Sequence, residues 1–317
     1  MTLPSGLVKI KLVMMNKLYG NFWRRKPKNF SSIGQLLLIS TLFLGLILFI
    51  GGIPSLALAS QTIKGANSAA DSLPINLQTL PLPESTRILA ADGTPIADLY
   101  QQNRVEVTID QISKPMQEAI ISIEDSRFFD HNGIDLRGTI RAYVTNQISG
   151  GVVQGGSTLT QQYVKNSLVL SAKTPEEAAA AKEKTITRKL REIRYALALE
   201  RINSKEEILA GYLNIAYFGA GAHGVEAAAK RYFSKSAKDL TVIEAATIAG
   251  IVQQPTGYDP IRNPARNENR RNQVLDRMVS NGFIDSNEAE KLKKIPVKSY
   301  LNPTPIRNGC TGSIAPY

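Results

Sequence analysis

Four segments of this chain gather side chains that could move a proton or hold an anion. The first is Ile123-Glu124-Asp125-Ser126-Arg127-Phe128-Phe129-Asp130-His131-Asn132-Gly133. An apolar helical pattern ends there on a carboxylate pair and then turns at a glycine. Burial of such a carboxylate favours its neutral form and raises its pKa, which suits it to take or give a proton. Taken alone, a helix end with two solvated acids is the simpler account. The second segment is Gly155-Gly156-Ser157-Thr158-Leu159-Thr160-Gln161-Gln162-Tyr163-Val164-Lys165-Asn166. Glycines lead into hydroxyls and amides at a helix start, so backbone N–H groups, side-chain donors and a lysine collect where an anion or a sugar could sit. A plain Ser/Thr cap would use few of these groups, and the density of the rest favours binding. In the third segment Arg188 and Glu192 are four apart and share a helix face. By themselves they read as a surface ion pair worth roughly a few tenths of a kcal/mol. The fourth, Leu213 to Gly224, is glycine-rich like a phosphate loop. No strand precedes it and no Gly-Lys-Ser/Thr follows, so a tight helix–helix corner is the better reading.

These segments need helices to position them. Met116, Ala119, Ile120 and Ile123 recur at helical spacing from Lys114 onward. Thr174-Pro175-Glu176-Glu177 opens a helix with proline and acids in its first turn, expected to run to about Glu200. Ser204 and Glu207 form a capping box. Leu240–Val252 is apolar on most faces and expected to be buried, and Ala265–Met278 and Ser286–Leu292 complete the helices. Ahead of them, residues 87–91 and 94–100 flank Asp92-Gly93 as a hairpin, and Pro95 confines its second strand to an edge. No internal repeat and no βαβ alternation are present. The fold class is therefore mainly α with a small β-hairpin.

The chain has 317 residues and a net charge of +11. Seven basic residues and no acid fall within residues 1–32, which leaves +4 for the remainder. Basic residues concentrated on a tail weaken a nucleic-acid reading. Residues 33–53 are uncharged and predominantly apolar, about the 20 residues that a transmembrane helix requires. Arg24-Arg25-Lys26 before them is expected to stay cytoplasmic and to place the bulk of the chain outside. Ala57-Leu58-Ala59 resembles a signal-peptidase site, but the apolar run exceeds a signal core, so an uncleaved anchor is favoured. One cysteine, Cys310, and two histidines, His131 and His223, leave little material for a metal centre of those ligands.

In order and spacing the four segments, with Glu244-Ala245-Ala246, Ala249-Gly250 and Pro255 after them, resemble the five motifs of the peptidoglycan glycosyltransferase domain of family 51. That domain occurs in class A penicillin-binding proteins and monofunctional transglycosylases. The resemblance covers about Leu82 to Ile295. With the charge and hydropathy pattern, the expected organisation is a basic tail (1–32), a transmembrane anchor (33–53), a linker (54–81), the transferase domain (82–295) and the start of a further linker (296–317). The implied fold is lysozyme-like and helical, with a membrane-associated jaw. The implied reaction polymerises lipid II into β-1,4 glycan strands with inversion at MurNAc C1 and release of undecaprenyl pyrophosphate.

By position, the resemblance makes Glu124 the base on the acceptor hydroxyl. Glu192 becomes the second catalytic carboxylate and the candidate ligand for Mg²⁺ or Mn²⁺, with no organic cofactor. Lys165, Arg188 and Lys189 match groups that neutralise the leaving pyrophosphate. Ser157, Thr158, Gln162 and Asn166 match donor-site polar contacts, and Asp125, Phe128 and His131 support the first motif. Residues 166–184 could form a lid over the donor site. The partners implied are lipid II, the growing glycan strand, the plasma membrane and the cell wall synthesis machinery, with no nucleic acid; the catalytic domain would lie on the outer side. No lysine has a serine three residues before it, so a Ser-x-x-Lys nucleophile is absent from this sequence, and the ending at Tyr317 reads as a chain cut before a transpeptidase. Two rivals remain: a lysozyme-like lytic enzyme, which would not need the cations, and a non-catalytic wall-binding protein, which would not need both carboxylates.

Overall fold

The computed structural model describes residues 85–150, 155–305 and 308–309. They all fall in one compact unit, Ala69–Tyr317. The expected tail, anchor and linker lie outside the described residues. Among those described, no helix is long and apolar enough to cross a membrane.

The hairpin forms where the Asp-Gly turn places it. Strand β1 (Thr86–Leu89) pairs antiparallel with β2 (Pro95–Leu99), Thr86 opposite Leu99 and Ile88 opposite Ala97. Gly93 takes φ +84°, and Asp92 Oδ1 accepts from the Thr94 N–H at 2.9 Å. The register slips at Leu89, which faces Pro95, the residue that cannot donate to a ladder.

Helix α1 (Lys114–Glu124) begins at the Ser113 cap, with Pro115 in its first turn. It buries Met116, Ala119 and Ile120, the spacing expected of one apolar face, and leaves Glu124 as its last residue. Helix α2 (Leu136–Ile148) starts at Asp135, which accepts from the Gly138 N–H at 2.9 Å. Helices α3 (Leu159–Leu170), α4 (Pro175–Lys182), α5 (Ile186–Ile202) and α6 (Lys205–Ile215) follow. Then come α7 (Val225–Phe233), α8 (Val242–Ile251), α9 (Pro264–Ser280) and α10 (Ser286–Lys293). The Leu213–Gly224 segment is the corner joining α6 to α7, as expected.

Two groups of helices make the frame. In one, α8 is buried along its length and packs against α1 and α9. Gly250 permits this approach: a Cβ there would meet the Arg270 side chain at 3.1 Å. In the other, α3 packs on α4, α5 and α6. The groups are joined at the end of α1, where Asp125 accepts from the Leu159 N–H at the start of α3 at 2.9 Å.

The single helix expected from Thr174 to Glu200 is in fact two. Glu183 and Thr185 take extended backbone, and the Thr185 hydroxyl accepts from the Arg188 N–H as a new cap. The alanine-rich run hides this because Glu and Lys at 183–184 are good helix formers, while the capping Thr acts only through a local hydrogen bond.

Helix α2 presents Leu136, Ile140, Val144 and Ile148 to solvent, at 70%, 64%, 48% and 82% exposure. These residues lie four apart and form one apolar stripe along the helix.

Candidate active site

Glu124 closes α1 on the wall of a cavity of about 760 Å³. Its Oε2 accepts from Gln162 Nε2 at 2.9 Å. Gln162 Oε1 accepts in turn from the hydroxyl of the buried Tyr212 at 3.3 Å. Burial drives the Glu124 pKa upward, the neighbouring Asp125 charge adds to the rise, and the Gln162 hydrogen bond and the Arg270 charge oppose it. A carboxylate in this setting binds a proton more strongly than a solvated one.

Asp125 lines the same cavity, but its carboxylate is committed to supporting the site. Both its oxygens lie 3.0 Å from His131 Nε2, and one also holds the start of α3. Phe128 is fully buried, with its ring edge-on to Phe129 and the Lys205 ammonium 4.5 Å from its centroid. Lys205 also donates to the His131 carbonyl and to Glu200. Asp125, Phe128 and His131 thus brace the turn after α1. The Thr158 hydroxyl is used twice in the same brace, accepting from Gln161 N–H and donating to the Gly133 carbonyl at 2.8 Å.

The cations assemble on α5. Lys189 Nζ donates to Ser157 Oγ at 2.7 Å and to Gln161 Oε1 at 2.6 Å, and lies 3.4 Å from Glu192 Oε2. Glu192 is buried, and its other oxygen is taken by Arg188, which also donates to the Glu183 carbonyl. Burial, and then the Arg188 and Lys165 charges, bring the Lys189 ammonium down to about 8. Lys165 extends this field from α3, its pKa lowered by burial and then by Arg188, Lys182 and Lys184. Asn166 follows on α3, half-buried. Ser157 connects the two halves of the site: it lines the Glu124 cavity and holds Lys189.

Glu192 was the expected metal ligand. Both its oxygens are engaged by cations, and the described residues contain no group of three or more His, Cys, Asp or Glu able to hold a metal. Glu192 is therefore an ion-paired carboxylate here, and Mg²⁺ or Mn²⁺ bound through it would compete with Arg188 and Lys189 for its oxygens.

Part of the cavity's lining was not read from the sequence. Gln253 after α8 and Arg270, Gln273, Asp276 and Arg277 of α9 line it with the α1 end, together with Arg141 of α2. The only signal was the arginine spacing in α9, which is indistinguishable from a solvated helix face until α8 packs behind it. His223 is elsewhere. It leans on the Tyr217 ring at 4.6 Å between centroids, and burial, then the Arg104 charge, lowers its pKa to about 4, so it is a neutral structural group.

The site of this mainly helical domain thus combines a buried carboxylate in a polar cleft with a bank of cations. A family model described as Transglycosylase matches residues 92–279, more than half of the chain, and the chain belongs to that family. It is similar to penicillin-binding protein 1F of Bacillus subtilis, 41% identical over 215 residues, which cover 68% of this chain and 29% of that protein. It is also similar to penicillin-binding protein 1A/1B of the same organism, 39% identical over 259 residues, covering 81% and 27%. Penicillin-binding protein 1A of Escherichia coli is 39% identical over 207 residues, covering 65% and 23%. The chain therefore spans about a quarter of the length of these relatives.

Proposed function

We propose that this chain is a peptidoglycan glycosyltransferase of bacterial cell wall synthesis that polymerises lipid II into β-1,4 glycan strands. The observation that carries this reading is the juxtaposition of Glu124, held as an acceptor by Gln162, with the Ser157–Lys189–Arg188 bank across the start of α3. Glu124 takes the proton of the acceptor sugar's 4-hydroxyl. The freed oxygen forms the new bond to the donor's C1 from the opposite face, and the bond from C1 to the pyrophosphate oxygen breaks. The leaving group needs charge neutralisation and no proton, which Lys165, Arg188 and Lys189 supply. Ser157 holds Lys189 and is placed for a donor contact, Asn166 follows Lys165 on α3 as a second candidate contact, and Glu192 keeps Arg188 and Lys189 in place. A lytic enzyme would share Glu124 but would have no use for these cations. Turnover of purified lipid II by the chain tests the reading.

Two expected results follow from this geometry. The rate should be bell-shaped in pH. Because the Glu124 pKa is raised, the base is already protonated at pH values where a free carboxylate is ionised, so kcat/KM falls on the acid side above the usual carboxylate range. Lys189 loses its charge as the pH rises through about 8, so the alkaline limb should fall there. A Lys189→Arg enzyme whose alkaline limb stays unchanged would remove Lys189 from this role.

The α2 stripe supports a membrane-associated jaw, which suits a lipid-borne substrate, a single-pass anchor and a catalytic domain on the outer face of the plasma membrane. Burying one exposed Ile or Val in lipid gains about 1–2 kcal/mol. Ile140→Asp with Val144→Asp in residues 54–317 should therefore weaken phosphatidylglycerol-vesicle flotation at least about tenfold. Both side chains are exposed, so the melting temperature should hold. Undiminished flotation would refute the docking face.

A further inference from the structure

We propose that Tyr212 is a positioning residue for the reaction: its hydroxyl fixes the Gln162 amide with the NH₂ toward Glu124, so that the base is held as an acceptor. This deepens the transferase reading and rests on it. Tyr212 sits on α6, fully buried, and its hydroxyl donates to Gln162 Oε1 at 3.3 Å. Gln162 Nε2 then donates to Glu124 Oε2 at 2.9 Å. The spacing between α3 and α6 is set next door, where Gly211 leaves room for the Tyr163 ring; a Cβ there would come within 2.6 Å of it.

The amide has two orientations, and they suit different forms of Glu124. An ionised carboxylate only accepts, so it needs the NH₂. The flipped amide would present its oxygen, which suits a protonated carboxyl alone. Flipping would also leave the Tyr212 hydroxyl hydrogen without an acceptor, since among the described residues it makes no other hydrogen bond. In a buried site that loss is unfavourable. Tyr212 thereby selects the orientation that keeps Glu124 ready to take a proton. The phenol itself does not titrate in the working range, because burial and the Glu124 charge push its pKa well above the usual value.

The other charges around Glu124 come from different elements. Asp125 lies at the end of its own helix. Asp135 and Arg141 line the cavity from the α2 side, and Arg270, Asp276 and Arg277 line it from α9. Helix α8 carries one charge, Glu244, which is paired with Lys235. None of these contacts the Gln162 amide, so the Tyr212 effect can be separated from theirs.

The test uses the full 317-residue chain in detergent, with ¹³C-carboxyl glutamate labelling and Glu124 assigned through Glu124→Gln. In Tyr212→Phe the Glu124 titration should move up by at least about half a unit, the acid limb of the rate profile should move with it, and kcat should fall with KM unchanged. Tyr212→Phe added to Gln162→Leu should shift the titration no further than Gln162→Leu alone. A 3-fluorotyrosine at position 212, a stronger donor of the same shape, should move it down, which keeps the test open if the phenylalanine variant does not fold. An unmoved titration, or shifts that add in the double variant, would overturn the proposal. If the titration moves but the wild-type chain makes no polymer, the link through Gln162 stands and the transferase reading falls.

Discussion

Glu124→Gln is expected to lower polymerisation by about 10²–10⁴-fold or more, the range lost when a general base is removed, while the fold stays intact. The amide keeps the shape of the carboxylate and can still pair with Gln162, but it cannot take a proton. Because Glu124 is a carboxylate raised by burial, exchanging it for a neutral group removes a desolvation cost. The thermal midpoint should therefore stay level or rise slightly. Initial rates on lipid II and a melting curve check both halves. Retained turnover would remove Glu124 from the base role, and a collapsed melt would make it a structural acid instead.

Gly133→Ala should be the most damaging small substitution near the site. Gly133 has φ +79°, and a Cβ there would lie 2.9 Å from the Ala196 carbonyl oxygen of α5. The left-handed backbone and the clash with a second helix each cost of order 1–3 kcal/mol, so a loss of about 2–6 kcal/mol in stability is expected. The Gly133 carbonyl also accepts from Thr158 Oγ1 and Gln161 Nε2. Displacing it would move the start of α3 and with it Gln162, Ser157 and the Lys189 contact. Activity should fall more steeply than the melting point alone explains when rates are measured well below the new midpoint. A variant with unchanged melting and unchanged rate would show that the turn is not tied to α5 as described.

Much of this site was legible because its chemistry sits at helix ends. Glu124 follows an apolar face of period 3.6 that terminates on it, and α3 begins at a Thr after glycines. The roles at those positions were less legible. Thr158 matches a donor-site contact by its position in the motif, yet its hydroxyl is occupied as a cap and a clasp on Gly133. Arg270 and Arg277 were missed because their place in the Glu124 cavity depends on α9 packing against α8 and α1, contacts between distant segments. Tyr212, one residue before the glycine-rich corner, carried no signal, because a relay through a side-chain amide leaves no sequence period. The break between α4 and α5 was hidden for the reverse reason: local propensity favours helix, and one capping hydroxyl overrides it.

The central claim is tested most directly by incubating the purified chain with lipid II and analysing the products. The account predicts β-1,4-linked glycan that lysozyme digests, released undecaprenyl pyrophosphate, and loss of both with Glu124→Gln. A folded chain that makes no polymer, or one that instead cleaves preformed glycan strands, would contradict it.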